Sequence, residues 1–389
     1  MTTASIITNW RSSGEGLALT IEYNGEIKER FFTWLWLIDH SQEQADFHPH
    51  AKQRLLETFS LGAASPATSV ELSDENQYLT LNWATGKSIH YTADYLWAVT
   101  EPNELYDVTK RPNRLWSAST DHKYYCQVDH QQYLNSDETL LQALHGIREM
   151  GVAIIRDVPK KVAAAREVME RISYIRSSIF GDMWELKSDG KIADTGSTPL
   201  DISPHSDGTY CHDAPGVMSL LCIDYEAQGG DNVLVDGFKI AQIMQRDYPQ
   251  EYALLSRVDI PGQYIGDGAY LVAQRPVFRH QNGRLIQVSF NNHDRAPFVL
   301  PEPQMSQIYQ ALKIFDQLSK DSANQFILAM RPGDMIVFDN WRLLHGRKAF
   351  EGQRHMAGSY INREDFESRL RMLQPQPLDM LANVEPFNV

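Results

Sequence analysis

Six residues, His205-Ser206-Asp207-Gly208-Thr209-Tyr210, constrain this chain more than any other stretch. On a β-strand successive side chains point to opposite faces, so His205 and Asp207 aim an imidazole and a carboxylate at one point. A third ligand is offered far downstream by His345, in Asp339-Asn340-Trp341-Arg342-Leu343-Leu344-His345-Gly346-Arg347. Two histidines and one carboxylate on one face of an octahedral metal leave the opposite face open, the arrangement of non-haem iron(II) oxygenases. A site shared between distant strands demands a fold that brings those strands together. The His-x-Asp pair alone is a weak signal in a chain with 13 histidines, and a surface turn is the competing reading. Zinc accepts the same residue types, so a zinc hydrolase also stays open on these residues alone.

The outer limits come from length and charge. A chain of 389 residues exceeds one typical domain, and one large domain beside a smaller one is expected. With 42% hydrophobic residues there is material for a sizeable core. The net charge of −14 and the lack of a basic run argue against nucleic acid or an anionic membrane as partner. Cys126, Cys211 and Cys222 show neither metal nor disulfide spacing, which fits a reducing compartment. No basic-then-apolar leader and no run of eighteen apolar residues occurs, so a cytoplasmic protein is expected.

Residues 1–105 read as a small β-rich domain. Leu17–Tyr23 ends at the hairpin signal Asn24-Gly25, and Tyr78–Trp83 ends near Gly86. The aromatic run Phe31–Asp39 reads as core or subunit interface. Residues 106–132 read as a linker with little regular structure, although Arg114 and Trp116 offer groups that reach a substrate. From 133 to 389 a larger domain is expected. Leu140–Leu144 has helical spacing and stops at Gly151, Val152–Pro159 reads as a buried strand, and a second helix is expected over Val162–Ile175. Short apolar runs separated by turns then predict a jelly roll, or double-stranded β-helix, interrupted by helices over Phe238–Leu255 and Pro303–Ser319. The fold class is therefore mainly β with flanking helices.

From Pro204 to about Leu373 the sequence resembles the γ-butyrobetaine hydroxylase family, within the taurine-dioxygenase-like iron(II)/2-oxoglutarate enzymes. The resemblance is carried by H-S-D-G-T-Y, A-P-G-V-M-S-L-L-C, G-G-D-N-V-L-V-D-G-F, V-S-F-N-N, R-P-G-D-M-I-V-F-D-N-W-R-L-L-H-G-R and G-S-Y-I-N-R-E-D-F-E-S-R-L-R, in the family's order. It implies that His205, Asp207 and His345 hold iron(II) and that dioxygen and 2-oxoglutarate are cosubstrates, with ascorbate supporting the reaction in vitro. The distal carboxylate of 2-oxoglutarate needs a planar, permanently charged partner. The matching arginine is Arg354, and Asn232 falls where a side-chain amide supports the cosubstrate. Halogenases of this class keep a small residue at the carboxylate position, so Asp207 implies hydroxylation, with demethylation or desaturation as variants.

The same resemblance places a small substrate. The family cages a trimethylammonium group with rings through cation–π attraction, and the matching positions are Phe180, Trp184 and Tyr360. A further cage tyrosine is replaced by Asp194, and Asp182 stands between two cage rings. At the acidic end Asn291 and Asn292 match a family asparagine, Arg295 follows, and Lys191 takes the place of another. These departures point to an amine-bearing betaine, amino acid or aminophosphonate; γ-butyrobetaine, giving carnitine, is the alternative. A ligand-binding homologue without activity is the alternative of another class. The family's small domain carries a structural zinc, whose positions here are Ser41, Glu43, Asp46 and Lys87; no soft ligand stands there, and the fold is expected to form without zinc. His40, His48, His50 and His90 lie nearby in sequence. A homodimer is the family-level expectation.

Overall fold

The structure, a computed structural model, describes residues 4–100, 113–187, 198–266 and 268–373. These fall into two compact units that part near residue 110. Lys191 and Asp194 lie outside the described residues.

The first unit is built from hairpins. Strands β1 (Ile6–Ser12), β2 (Gly16–Tyr23) and β3 (Glu26–Thr33) form one antiparallel sheet. Asn24 and Gly25 take positive φ of 52° and 79°, the geometry a tight two-residue hairpin requires. Thr33 then caps a helix, α1 (Trp34–Asp39), by accepting from Trp36 N, so the aromatic run divides: Trp34 and Leu37 are buried while Phe31 and Leu35 are exposed. A short ribbon, β4 (Phe47–His48) with β5 (Gln53–Arg54), precedes a second sheet of β6 (Ser69–Leu72), β7 (Tyr78–Asn82) and β8 (Ser88–Thr92), which leads into α2 (Ala93–Ala98). Alternating residues of β2 and β7, among them Leu17, Leu19, Leu79 and Leu81, meet in one core.

The second unit runs through residue 373. Residues 113–132, expected to be a linker, belong to its core instead. Trp116 is buried against Tyr125 and Phe326, its backbone N–H donates to Asp236, and β9 (Cys126–Asp129) joins the large sheet. The cause is tertiary: burying the indole against two rings, with its N–H donated to the Met150 carbonyl, outweighs the lack of local pattern.

Helices α3 (His130–Asn135) and α4 (Asp137–Met150) follow, the latter capped by Ser136 and stopped by Gly151 at φ 86°. Strand β10 (Val152–Arg156) and α5 (Val162–Ile172) lead to β11 (Trp184–Lys187), β12 (Ile202–His205), β13 (Val217–Gly229) and β14 (Asn232–Asp236). The helix expected over Phe238–Leu255 is two, α6 (Gly237–Asp247) and α7 (Pro249–Leu255), because Pro249 cannot continue the first. Hairpins β15 (Ile260–Gly266) with β16 (Ala269–Arg275), and β17 (Phe278–Gln281) with β18 (Arg284–Val288), precede α8 (Gln304–Lys320). The chain then runs through β19 (Gln325–Leu328), β20 (Met335–Asp339), β21 (Leu343–Arg347), β22 (Phe350–Ile361) and α9 (Arg363–Leu373).

Six strands pair in the order β11-β22-β13-β20-β10-β9, and four in the order β12-β21-β14-β19. This is the jelly roll that the alternation of short apolar runs predicts. Val152, Leu220, Leu234, Phe338 and Leu343 pack between the two sheets, and α6 and α8 cover the outer face of the smaller one.

Candidate active site

The smaller sheet assembles the site. β21 lies between β12 and β14, with His345 opposite His205 on one side and Leu234 on the other. β12 ends at His205, so Asp207 is not brought round by strand pleating as the sequence suggests. It lies past the strand, where Asn340 grips its backbone: Asp207 N donates to Asn340 Oδ1 (2.9 Å), and Asn340 Nδ2 donates to the carbonyls of Asp207 (3.1 Å) and Pro215 (2.9 Å). Asn340 is 1% exposed, and the sequence reading gave it no role. Its signal was the Asp-Asn-Trp-Arg run shortly before His345.

Asp207 Oδ1 lies 3.4 Å from His205 Nε2 and 3.7 Å from His345 Nε2, and the three ligand atoms all fall within 4.8 Å of one another. The other carboxylate oxygen accepts from the Tyr360 hydroxyl at 2.7 Å. His205 Nδ1 faces the Ser203 carbonyl at 2.9 Å, which fixes the proton on Nδ1 and turns the Nε2 lone pair into the cluster. Burial, reinforced by the nearby His205, pushes the His345 imidazole down to about 4. Burial works against the charged forms of Asp207 and His205 too. The two imidazoles nonetheless hold the Asp207 carboxyl well below its usual range, and Asp207 lifts His205 above its own. Two imidazoles that point lone pairs at one ionised carboxylate oxygen fit a divalent ion. Among the described residues no other group of three such side chains is spaced to hold a metal.

The triad opens onto a cavity of about 660 Å³. Arg354 and Asn232 line it, and Arg354 Nη2 donates to Asn232 Oδ1 at 3.0 Å. The Asn232 amide nitrogen is buried with no partner, which leaves a donor for an anion beside the guanidinium. Both side chains fit the carboxylate groups of 2-oxoglutarate.

Of the residues expected at the substrate, Phe180, Trp184, Tyr360 and Asn291 line the cavity. Trp184 lies across β22, where a Cβ on Gly358 would stand 2.2 Å from the indole, and its ring centroid is 5.6 Å from that of Tyr360. Asp182 is turned away. Gly181 at φ 85° makes a tight turn between Phe180 and Asp182, and Asp182 accepts from the Ser177 hydroxyl and faces Arg166 at 3.8 Å. Asn292 and Arg295 also lie outside the lining: Arg295 Nε donates to Asn292 Oδ1 (3.3 Å), and its guanidinium sits 5.3 Å over the Tyr309 ring. Tyr210, Tyr264 and Asp294 are among the lining residues that the sequence leaves unassigned. Tyr210 stands in the organising motif itself, while Tyr264 and Asp294 are brought in by β15 and by the loop after β18.

In the first unit the four positions matched to a zinc site form one connected cluster. Glu43 N donates to Ser41 Oγ (3.3 Å), Asp46 N to the Glu43 carbonyl (2.8 Å), and Lys87 Nζ to both Asp46 carboxylate oxygens (2.7 and 2.6 Å). His90 donates to Glu43 Oε1 through its backbone, and its Nδ1 lies 2.8 Å from the same oxygen.

Comparison with known proteins gives the same picture. The profile of the family described as taurine catabolism dioxygenase TauD, TfdA matches residues 109–360. A trimethyllysine dioxygenase of Meyerozyma guilliermondii is 30% identical over 93% of this chain and 95% of its own length. The mitochondrial trimethyllysine dioxygenase of Mus musculus is 30% identical over 96% and 89%. The human γ-butyrobetaine dioxygenase is 29% identical over 64% of this chain and 66% of its own. Among solved structures, a protein of Burkholderia xenovorans assigned as an α-ketoglutarate-dependent taurine dioxygenase superposes with a TM-score of 0.50 at 12% identity, over 64% of this chain and 93% of that one; this likeness concerns the fold. With the jelly roll, the His-Asp-His cluster and these relatives together, the chain belongs to the TauD/TfdA family and is an iron(II)- and 2-oxoglutarate-dependent dioxygenase.

Proposed function

We propose that the enzyme hydroxylates an aliphatic carbon of a small substrate that carries an ammonium group and an anionic group. The observation that carries this reading is the meeting of three elements in one cavity: the triad, the Arg354–Asn232 pair, and the Phe180, Trp184 and Tyr360 rings. His205, Asp207 and His345 hold iron(II), and Arg354 with Asn232 holds 2-oxoglutarate. When bound, these would activate dioxygen: one oxygen atom would go into succinate as 2-oxoglutarate loses carbon dioxide, and the other would be inserted into an unactivated C–H bond of the substrate. Tyr360 keeps the second Asp207 oxygen engaged, so one oxygen alone is presented to the metal. The rings receive a methylated ammonium through cation–π attraction, which needs no hydrogen bond. Asn291 also lines the cavity, its amide nitrogen donating to Asp294 Oδ2 at 2.7 Å, and is the residue of the expected anion set that reaches it.

Trimethyllysine is the leading substrate, because the relatives named for it match nearly the whole chain. γ-Butyrobetaine stands behind it, since the relative named for that compound matches about two thirds. A reducing, cytoplasmic setting accords with three free cysteines, although the mammalian relatives are named mitochondrial. No helix among the described residues is long and apolar enough to cross a membrane. A homodimer is part of the same reading, supported by Ile27 and Phe31 exposed on the edge strand β3.

The test is succinate formation from 2-oxoglutarate under air with iron(II) and ascorbate, across trimethyllysine, betaines and aminophosphonates, with His345→Ala as control. Stimulation by one compound, lost in the variant, is expected. Failure of every ammonium compound to stimulate turnover overturns the substrate reading.

A further inference from the structure

The strand that carries His205 rests on a slender support. β12 is four residues long and forms the edge of the smaller sheet. Its ladder with β21 registers at two positions, Ile202 with Arg347 and His205 with His345, with an irregularity between them. An edge strand has a partner on one side only, so the ladder alone does little to hold His205 in place. Past the strand the chain is anchored: Ser206 N donates to the Phe290 carbonyl (2.8 Å), and Asn340 grips Asp207. The other end depends on a different residue.

That residue is Arg347, which closes β21 two positions beyond His345. It is 4% exposed, and its Nη2 donates to the Thr198 carbonyl and, at 2.7 Å, to the Leu200 carbonyl. The Pro199 carbonyl between them accepts from Phe350 N at 3.1 Å, and the Arg347 guanidinium lies 4.7 Å over the Phe350 ring. Three successive carbonyls just before β12 are thus taken by two residues at the corner between β21 and β22. The side chains of Pro199 and Leu200 are exposed, so the hydrogen bonds, and not burial, fix this stretch.

The corner also faces the cosubstrate. Arg347 stands opposite Ile202 on one side and Asn232 on the other, and residues directly opposite across a ladder share a face. All three line the cavity, and Asn232 accepts from Arg354. Gly346 lets β12 press close, since a Cβ there would stand 2.4 Å from the Ile202 carbonyl.

A guanidinium presents donors in a rigid plane and stacks that plane on a ring, whereas an ammonium is a point charge on a flexible stem. We propose that Arg347 is a positioning residue: it clamps 198–200 to the corner between β21 and β22, and so holds Ile202 and His205 in register for the metal and for 2-oxoglutarate. Its effect passes through β12 and needs no contact with either. The clamp rests on the assignment of the triad and of the Arg354–Asn232 pair made above.

The test uses Arg347→Lys, which keeps the charge and loses the plane, and Arg347→Met, which loses both. Calorimetry without oxygen measures manganese(II) binding to the metal-free proteins and 2-oxoglutarate binding to the manganese-loaded ones. Both affinities are expected to weaken about tenfold in each variant, the range for residues that orient metal ligands. The KM for the ammonium substrate stays close to that of the unsubstituted enzyme. Amide hydrogen exchange is expected to quicken over 200–205 and to stay unchanged in β14.

Unaltered affinities in both variants, whatever their melting temperatures, make Arg347 a structural residue only and overturn the clamp, with the functional reading left standing. Full recovery of both affinities in Arg347→Lys also overturns it, because charge alone then suffices. Should Arg347→Met fail to fold, Arg347→Lys by itself decides. If the unsubstituted protein binds neither manganese nor 2-oxoglutarate, the functional reading itself falls, and the clamp with it.

Discussion

Two of the clusters of acidic, histidine and hydroxyl side chains among the described residues, one in each unit, differ in what meets the carboxylate. Asp46 is met by a lysine on both oxygens, and Glu43 Oε1 accepts from the His90 backbone and lies 2.8 Å from its ring, so the carboxylates of the first cluster are engaged by neighbours within the cluster. Asp207 is met by two imidazole nitrogens at 3.4 and 3.7 Å and by a tyrosine hydroxyl, with no lysine or arginine on it among the described contacts. Burial holds His345 in its neutral form, with a lone pair to offer. The first cluster is an ion-paired joint and the second a set of donors that still wants a cation. Residue types alone do not separate a metal site from a salt bridge; compensation of charge does.

The largest break in this comparison comes from the triad. His345→Ala removes one donor, and both succinate formation and iron binding by anaerobic titration are expected to fall below detection, whereas the far-ultraviolet circular dichroism stays unchanged. Chelation of the metal from the unsubstituted enzyme gives the same loss and is reversed by iron(II). Retention of stoichiometric iron by His345→Ala shows that the metal lies elsewhere. Next comes Arg354→Ala, which deletes the cavity's partner to Asn232. The KM for 2-oxoglutarate is expected to rise about a hundredfold, with a far smaller change in substrate KM, in line with loss of a charged bidentate contact. Tyr360→Phe is milder. It frees one Asp207 oxygen, and metal affinity measured with manganese is expected to weaken about tenfold, the usual effect of losing a hydrogen bond to a ligand.

Much of this site was legible from sequence, and the parts that were not share one cause. His205, Asp207, His345, Asn232 and Arg354 stand in local patterns that specify residue type and spacing, and the structure gathers them at one cavity. Misreadings fell where a contact between distant segments, or one φ angle, decides where a side chain points. Asp207 is placed by Asn340 rather than by strand alternation. Asp182 faces outward because Gly181 turns the chain between it and Phe180. In the Asn291-Asn292 pair only the first reaches the cavity, and Asn292 accepts from Arg295 instead. Tyr264 and Asp294 owe their positions to the close pass of Gly262 over Thr209, which no local pattern announces. The stretch 113–132 looked like a linker because its order comes from Trp116 packing against Phe326 and from Asp236, both more than a hundred residues away.

The smallest effect belongs to the ion-paired cluster, and it tests the comparison from the opposite side. Asp46 is 6% exposed, and Lys87 reaches it across 41 residues of sequence, joining the loop after α1 to the turn before β8. Lys87→Met leaves that carboxylate desolvated and without its cation, which costs about 2 kcal/mol on the usual scale for an abandoned buried partner. Thermal or urea unfolding measures it. The double variant Lys87→Met with Asp46→Leu removes both charges and is expected to recover most of the loss, because an apolar pair does not bear the desolvation that the single change exposes. Metal supplementation separates the two units: added zinc or iron is not expected to raise the stability of Lys87→Met, since the one imidazole near Asp46, His90, is engaged with Glu43 and the cluster offers no thiolate and no metal-spaced group of three ligands among the described residues. Recovery of stability with zinc, without the second substitution, means that this cluster has kept a metal site beneath its salt bridge, and the distinction drawn between the two units fails.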